Sequence, residues 1–142
     1  MGSVQFFYEN TPFKLKQALK LKAWVKEAIQ KEGFQLKSLS YVFCTDEDLL
    51  QRNIQFLNHK TLTDIITFDL SEEEGLIEGE IYISIDRVRE NATKFSKTFE
   101  DELHRVLIHG VLHLAGYKDK KADQKAEMRK REDFYLRKRR LS

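Results

Sequence analysis

HGVLHLAGYKD, residues His109–Asp119, is the stretch that decides how this chain is read. At ~100° per residue, positions four apart share one side of a helix. His109 and His113 can therefore turn their imidazoles toward one ion at the usual ~2.0–2.1 Å. Gly116 is a natural helix stop, and Asp119 follows three residues later on the returning chain. A carboxylate there is an acceptable third ligand, binding such metals at ~2.0–2.2 Å. Three protein ligands with a fourth position open describe a metal centre that usually does hydrolysis. The histidine pair alone has a plainer reading, as boundary histidines bonded to backbone carbonyls; the glycine and carboxylate that follow weigh against it. His59, Asp123 or water are the alternatives to Asp119 as third group.

Outward from the histidines, Leu103, Val106, Leu107, Gly110, Val111 and Leu114 share one broad helical face, while Ile108, Leu112 and Ala115 make the opposite side apolar. The helix, expected from near Phe99 to Gly116, therefore reads as a central one, buried nearly all round. His104 points to its other side and is a poor ligand candidate. Glu102 lies two turns, ~10 Å, from the pair and reads as a solvated charge at the helix start. The zinc-protease motif HExxH would place a glutamate directly after the first histidine; here that residue is Gly110.

The rest of the chain alternates short strands with helices. A strand is expected over Val4–Tyr8, a helix between Phe13 and Lys31 with Gly33 as its stop, and a strand over Leu36–Cys44. In that strand Leu39, Tyr41 and Phe43 face one way, Val42 and Cys44 the other. Thr45 precedes a second helix running from Asp48 to about Asn58. Strands at Thr63–Leu70 and Glu80–Ile85 flank the acidic loop SEEEGLIEG. Asp86 is the expected cap of a third helix reaching about Lys97, and a charged helix fills Lys121 to about Lys138. This order predicts an α+β fold: one domain over residues 1–142, with about four strands in a mixed sheet packed with helices, the central one carrying the histidines.

At 142 residues, with 41% hydrophobic and 34% charged residues, the chain suits one domain with a real core. A net charge of +2 permits an anionic partner without demanding one. The last quarter concentrates Lys125, Arg129, Lys130, Arg131, Arg137, Lys138, Arg139 and Arg140, a basic face able to collect phosphates or simply to be solvated. The single cysteine, Cys44, excludes a disulfide framework and favours a reducing compartment. No segment reaches the ~20 apolar residues of a membrane span, so a cytoplasmic protein is expected.

Over the same span, HGVLHLAGYKD resembles the signature HGxLHLxGYDH of the YbeY endoribonucleases of ribosomal RNA maturation, agreeing at nine positions, wildcards included. TDIITF (Thr63–Phe68) is similar to that family's TDVLSF strand, GEIYIS (Gly79–Ser84) to its GDIxIS strand, and AEMRKRE (Ala126–Glu132) to its closing helix. The resemblance implies that His109 and His113 are ligands of one divalent metal ion, usually zinc. It also implies metal-assisted cleavage of single-stranded RNA, with ribosomal RNA and ribosomal particles as partners. Two departures stand out: Asp119 replaces the family's third histidine with Lys118 before it, and Leu57 replaces an arginine. Lys118, Lys60 and Arg52 are the candidate substitutes at the scissile phosphate. The competing readings are a ribosome-associated RNA-binding protein with a structural metal and little catalysis, and a metallohydrolase acting on another substrate.

Overall fold

The computed structural model describes residues 2–57 and 63–140. Nine elements follow one another among them: β1 (Ser3–Tyr8), α1 (Ala18–Lys31), β2 (Gln35–Cys44), α2 (Asp46–Leu57), β3 (Ile65–Asp69), β4 (Leu76–Ser84), α3 (Ile85–Lys94), α4 (Phe99–Leu114) and α5 (Ala122–Leu136). The strands form one sheet in the order β1-β2-β4-β3. β1, β2 and β4 run parallel, and β3 lies antiparallel to β4 at the edge. The fold is α+β with a mixed four-stranded sheet.

The period-2 alternation of β2 sorts its side chains onto two faces. Leu39, Tyr41 and Phe43 enter the larger core with Ile81 and Ile83 of β4, Leu103, Leu107 and Val111 of α4, and Val25 and Ile29 of α1. Val42 and Cys44 enter a smaller core under α2, with Leu49, Ile66 and Tyr82. The expected two faces of this strand are thus both buried, beneath different helices. Tyr41 is fully buried, and its hydroxyl donates to the Leu107 carbonyl at 2.8 Å, tying the sheet to α4. Burial pushes the Tyr41 phenol well above its ordinary range.

α4 is the central helix that its sequence predicts, with ten of its residues buried. Thr98 caps it by accepting from the Asp101 amide at 3.0 Å, and Glu100 and Asp101 complement the helix dipole. At the other end, Gly116 takes φ 101°. The Gly116 amide donates to the His113 carbonyl at 3.0 Å and the Tyr117 amide to the Leu112 carbonyl at 2.9 Å. These are the paired bonds of a Schellman stop, and they send the chain back toward the histidines.

Several boundaries differ from expectation. α1 begins at Ala18, not Phe13. The preceding arm is held outside the helix because the Phe13 ring packs edge-on against Phe43 (5.4 Å) and Phe99 (5.7 Å), while the Leu15 amide donates to the Tyr8 hydroxyl. β4 begins at Leu76, so the last four residues of the SEEEGLIEG stretch are strand. α3 is capped by Ser84, which accepts from the Arg87 amide at 3.2 Å; Asp86 instead accepts from the Asp46 amide. α3 also stops at Lys94, where Ser96 turns the chain at φ 57°.

Candidate metal centre

α4 places His109 and His113 one turn apart, their rings edge-to-face with centroids 4.5 Å apart. Their Nε2 atoms stand 2.9 Å from each other, and Asp119 Oδ2 lies 3.3 Å from the first and 3.4 Å from the second. A tetrahedral ion with ~2.05 Å bonds holds its donors ~3.3 Å apart, so the triangle has the dimensions of three ligand positions.

The outer nitrogens fix which atoms face inward. His109 Nδ1 donates to Glu132 Oε2 at 2.6 Å, and His113 Nδ1 donates to the Tyr117 carbonyl at 3.1 Å. A ring that keeps its one proton on Nδ1 presents a bare Nε2 lone pair. Two ring nitrogens and a carboxylate oxygen converge on one point, a donor set suited to a cation. His113, Asp119 and His109 are partly exposed, which leaves a side open for a further ligand. A cavity of about 320 Å³ opens beside His113, lined also by Asn53 and Leu57 of α2 and by Thr63, Ile65 and Thr67.

The support behind these residues lies deeper. Glu132 is 5% exposed and also accepts from Arg105 Nη1 at 2.7 Å, while Arg105 Nη2 reaches Asp133 at 2.6 Å. Tyr117, whose carbonyl orients His113, donates its hydroxyl to Glu32 at 2.8 Å. Glu32 also accepts from the Tyr135 hydroxyl of α5. One carboxylate at the end of α1 thus anchors both the metal-facing loop and the helix that carries Glu132. For His109, burial acts first and disfavours the imidazolium; the hydrogen bond and charge of Glu132, with Asp119 and Asp64, outweigh it and raise its pKa. Burial raises the Asp64 carboxyl, against the lowering pull of His109.

Glu102 corrects a sequence expectation. It is 7% exposed rather than solvated, and burial raises its pKa, with Asp64 adding to the rise and Arg105 opposing it. The helix start is covered on this side, so the charge is enclosed. His104 turns away from the centre as expected, buried against Trp24 and accepting from Arg139. Lys118 is exposed on the loop, and a shallow cleft there includes Asp123 rather than bringing it to the histidines. Arg52 is held by Glu9 at 2.9 Å and stacks over Tyr82. His59 and Lys60 fall outside the described residues. Glu132, Arg105, Asp64 and Glu32 were not singled out by the sequence. Nothing in the spacing distinguishes them among the 23 acidic and 25 basic residues of the chain.

Comparison with known proteins joins this geometry to a family. The model of the family described as Endoribonuclease YbeY matches residues 7–140. The chain belongs to the YbeY endoribonuclease family. It is 51% identical over 134 residues to the Endoribonuclease YbeY of Cytophaga hutchinsonii, covering 94% of each chain. It is 45% identical to that of Amoebophilus asiaticus, covering 95% of this chain and 92% of the relative. A Thermotoga maritima protein solved in solution shares the fold with a TM-score of 0.66 and 32% identity, over 94% of this chain and 86% of that one. YbeY membership supports an RNA endonuclease function, a hydrolase class for which RNA is the substrate. No helix among the described residues is long and apolar enough to cross a membrane.

Proposed function

We propose that this YbeY-family chain, acting as one domain over residues 1–142, is a metal-dependent, single-strand-specific endoribonuclease of ribosomal RNA processing and ribosome quality control. It works in the cytoplasm with one zinc ion held by His109, His113 and Asp119. The convergence of two imidazole nitrogens and a carboxylate within 3.4 Å of one another carries this reading. When bound, the ion supplies Lewis acidity toward a phosphodiester and a water of lowered pKa.

The protein's own groups set the conditions around that centre. Glu132 and the Tyr117 carbonyl hold the two rings in the tautomers that face inward. The Asp119 carboxylate adds negative charge, leaving the centre a weaker Lewis acid than a third neutral imidazole would. Lys118, one residue away and exposed, is placed to meet a phosphate that enters beside Asp119. Lys60 is a second candidate phosphate contact, and Arg52 a third once it is released from Glu9. RNA held mainly through phosphates binds with strong salt dependence.

The existing pairing of Arg52 with Glu9 favours one competing reading, a ribosome-associated RNA-binding protein in which the metal is structural. Purified wild type and His113→Ala, each incubated with single-stranded and duplex RNA with and without zinc, separate the two. Endonuclease activity requires cleavage of the single strand by zinc-loaded wild type and loss of it in the variant. Equal cleavage by both, or cleavage by neither under any metal, refutes the enzyme reading. Metal content of Asp119→Ala should drop sharply; unchanged stoichiometry points to His59, Asp123 or water as third ligand.

A further inference from the structure

A cavity of about 590 Å³ lies away from the metal centre, where the arm before α1 crosses the start of α4 and the end of α5. Its apolar surface comes from Phe13, Phe99, Leu103 and Leu136, and Lys14, Lys16 and Arg89 stand among its lining residues. All three cations are exposed, and Lys16 forms no ion pair with a described residue. Of the two acids at the cavity, Asp101 is already engaged by Arg139 at 3.1 Å, so the balance favours an anion.

His104 gives the cavity a directional polar group. The residue is 6% exposed, and its Nδ1 accepts from Arg139 Nη1 at 2.8 Å. Burial first, then the Arg139 charge, push its pKa down to about 4, so the ring is neutral near pH 7 and carries its proton on Nε2. No described residue accepts from Nε2. No buried side-chain polar atom among the described residues is left without a partner, so Nε2 is not sealed. His104 is itself among the residues that line the cavity. A recess whose lining combines aromatic rings, a neutral imidazole and cations suits a ligand with a flat apolar body, an acceptor edge and a negative group. A base and its phosphate have these three features together, and aromatic side chains are the usual platforms for bases.

We propose that this cavity is a second site, for a nucleotide unit: the base rests against Phe13 and Phe99 with an acceptor toward His104, and the phosphate meets Lys14, Lys16 and Arg89. The same unit can arrive as a free mononucleotide or within an RNA strand. The site stands on its own lining and not on the activity of the metal centre.

Trp24 is the single tryptophan, and its ring lies 6.1 Å from that of His104, so its fluorescence reports on the cavity. The full chain is titrated with adenosine monophosphate, uridine monophosphate, inorganic phosphate and a short single-stranded RNA, by Trp24 fluorescence and by calorimetry. At least one mononucleotide should bind and perturb Trp24, with inorganic phosphate weaker by roughly tenfold or more. The doubly substituted Lys14→Glu, Lys16→Glu protein should lose roughly tenfold in affinity or more with an unchanged melting temperature, because both lysines are exposed. His113→Ala should bind as wild type does. If RNA also weakens in the double variant and the mononucleotide competes with it, the strand is the source; otherwise the free nucleotide is. Absence of calorimetric binding, equal affinity for phosphate alone, indifference to the two substitutions, or loss in His113→Ala each overturns the proposal.

Discussion

His109 Nδ1 donates to Glu132 Oε2 at 2.6 Å, joining the metal-facing helix to the C-terminal helix through a buried carboxylate. The bond does two things: it selects the tautomer that faces Asp119, and it makes the ring a better donor to a metal. Glu132→Gln keeps the volume and removes the charge. Metal affinity should fall by about 10–100-fold, the usual cost of losing such a partner. Competition against a chelator of known affinity measures it. An affinity within about twofold of wild type means that Glu132 does not orient the ligand.

Much of this site was legible in the sequence, and the reason is local geometry. HxxxH on a helix, a glycine stop and a carboxylate three residues on lie within one short segment, so helical periodicity pairs His109 with His113 and the Gly116 stop returns Asp119 to them. Glu132 and Glu32 were not legible because they arrive through packing: α5 returns along α4, and the end of α1 meets Tyr117 and Tyr135. No period links residues on separate elements. The misjudged start of α1 has the same origin, since Phe13 and Leu15 continue the helical spacing of Leu19 and Trp24 but are taken up by contacts with Phe43, Phe99 and Tyr8. Glu102 was misplaced because an acid in a first turn is ordinarily solvated, whereas here it lies beside Arg105 and Asp64 in an enclosed space.

His104 makes the fold acid-sensitive, and the sign is definite. Its folded-state pKa of about 4 lies below the ordinary ~6.5 of the unfolded chain. Between those values the unfolded state binds a proton that the folded state refuses, so ∂ΔG/∂pH is positive. Its contribution is present above about pH 6.5 and is lost as pH falls toward about 4. Metal-free His109 acts oppositely, since its raised pKa gives stability that is present below about pH 6.5 and fades as pH rises through the folded value. Chemical denaturation of the metal-free protein from pH 7 to pH 4 should show a flatter acid loss in His104→Asn than in wild type. Parallel curves would remove His104 as a cause.

Ser96 occupies the left-handed region at φ 57° just past α3, with its amide donating to Thr93 and the next amide to Ala92. This is the stop geometry that glycine adopts without a Cβ penalty. Ser96→Gly should therefore stabilise the fold by about 0.5–1 kcal/mol, the left-handed cost for an L-residue being partly returned as unfolded-chain entropy. Denaturant midpoints at constant m-value test this, and a lowered midpoint rejects it.

Two glycines report on how closely the layers approach. A Cβ at Gly79 would sit 2.6 Å from the Phe68 carbonyl oxygen, part of the neighbouring strand's backbone. A Cβ at Gly110 would sit 2.7 Å from Ile81 Cδ1 and 3.1 Å from Ile65 Cδ1, the free ends of flexible side chains, and 3.1 Å from Ile81 Cγ2. Gly79→Ala must therefore push β3 from β4 and should cost about 2 kcal/mol or more. Gly110→Ala gains up to about 1 kcal/mol of helix propensity against a repacking cost of about 1–3 kcal/mol, for a smaller net loss. Because Gly110 adjoins His109, its variant should show the larger effect on metal affinity relative to its stability loss. Melting temperatures, which shift by about 2–4 °C per kcal/mol for a chain near this size, and chelator competition on both proteins provide the comparison. Equal melting losses, or a Gly79 variant as stable as wild type, contradict the assignment of backbone contact to one site and side-chain contact to the other.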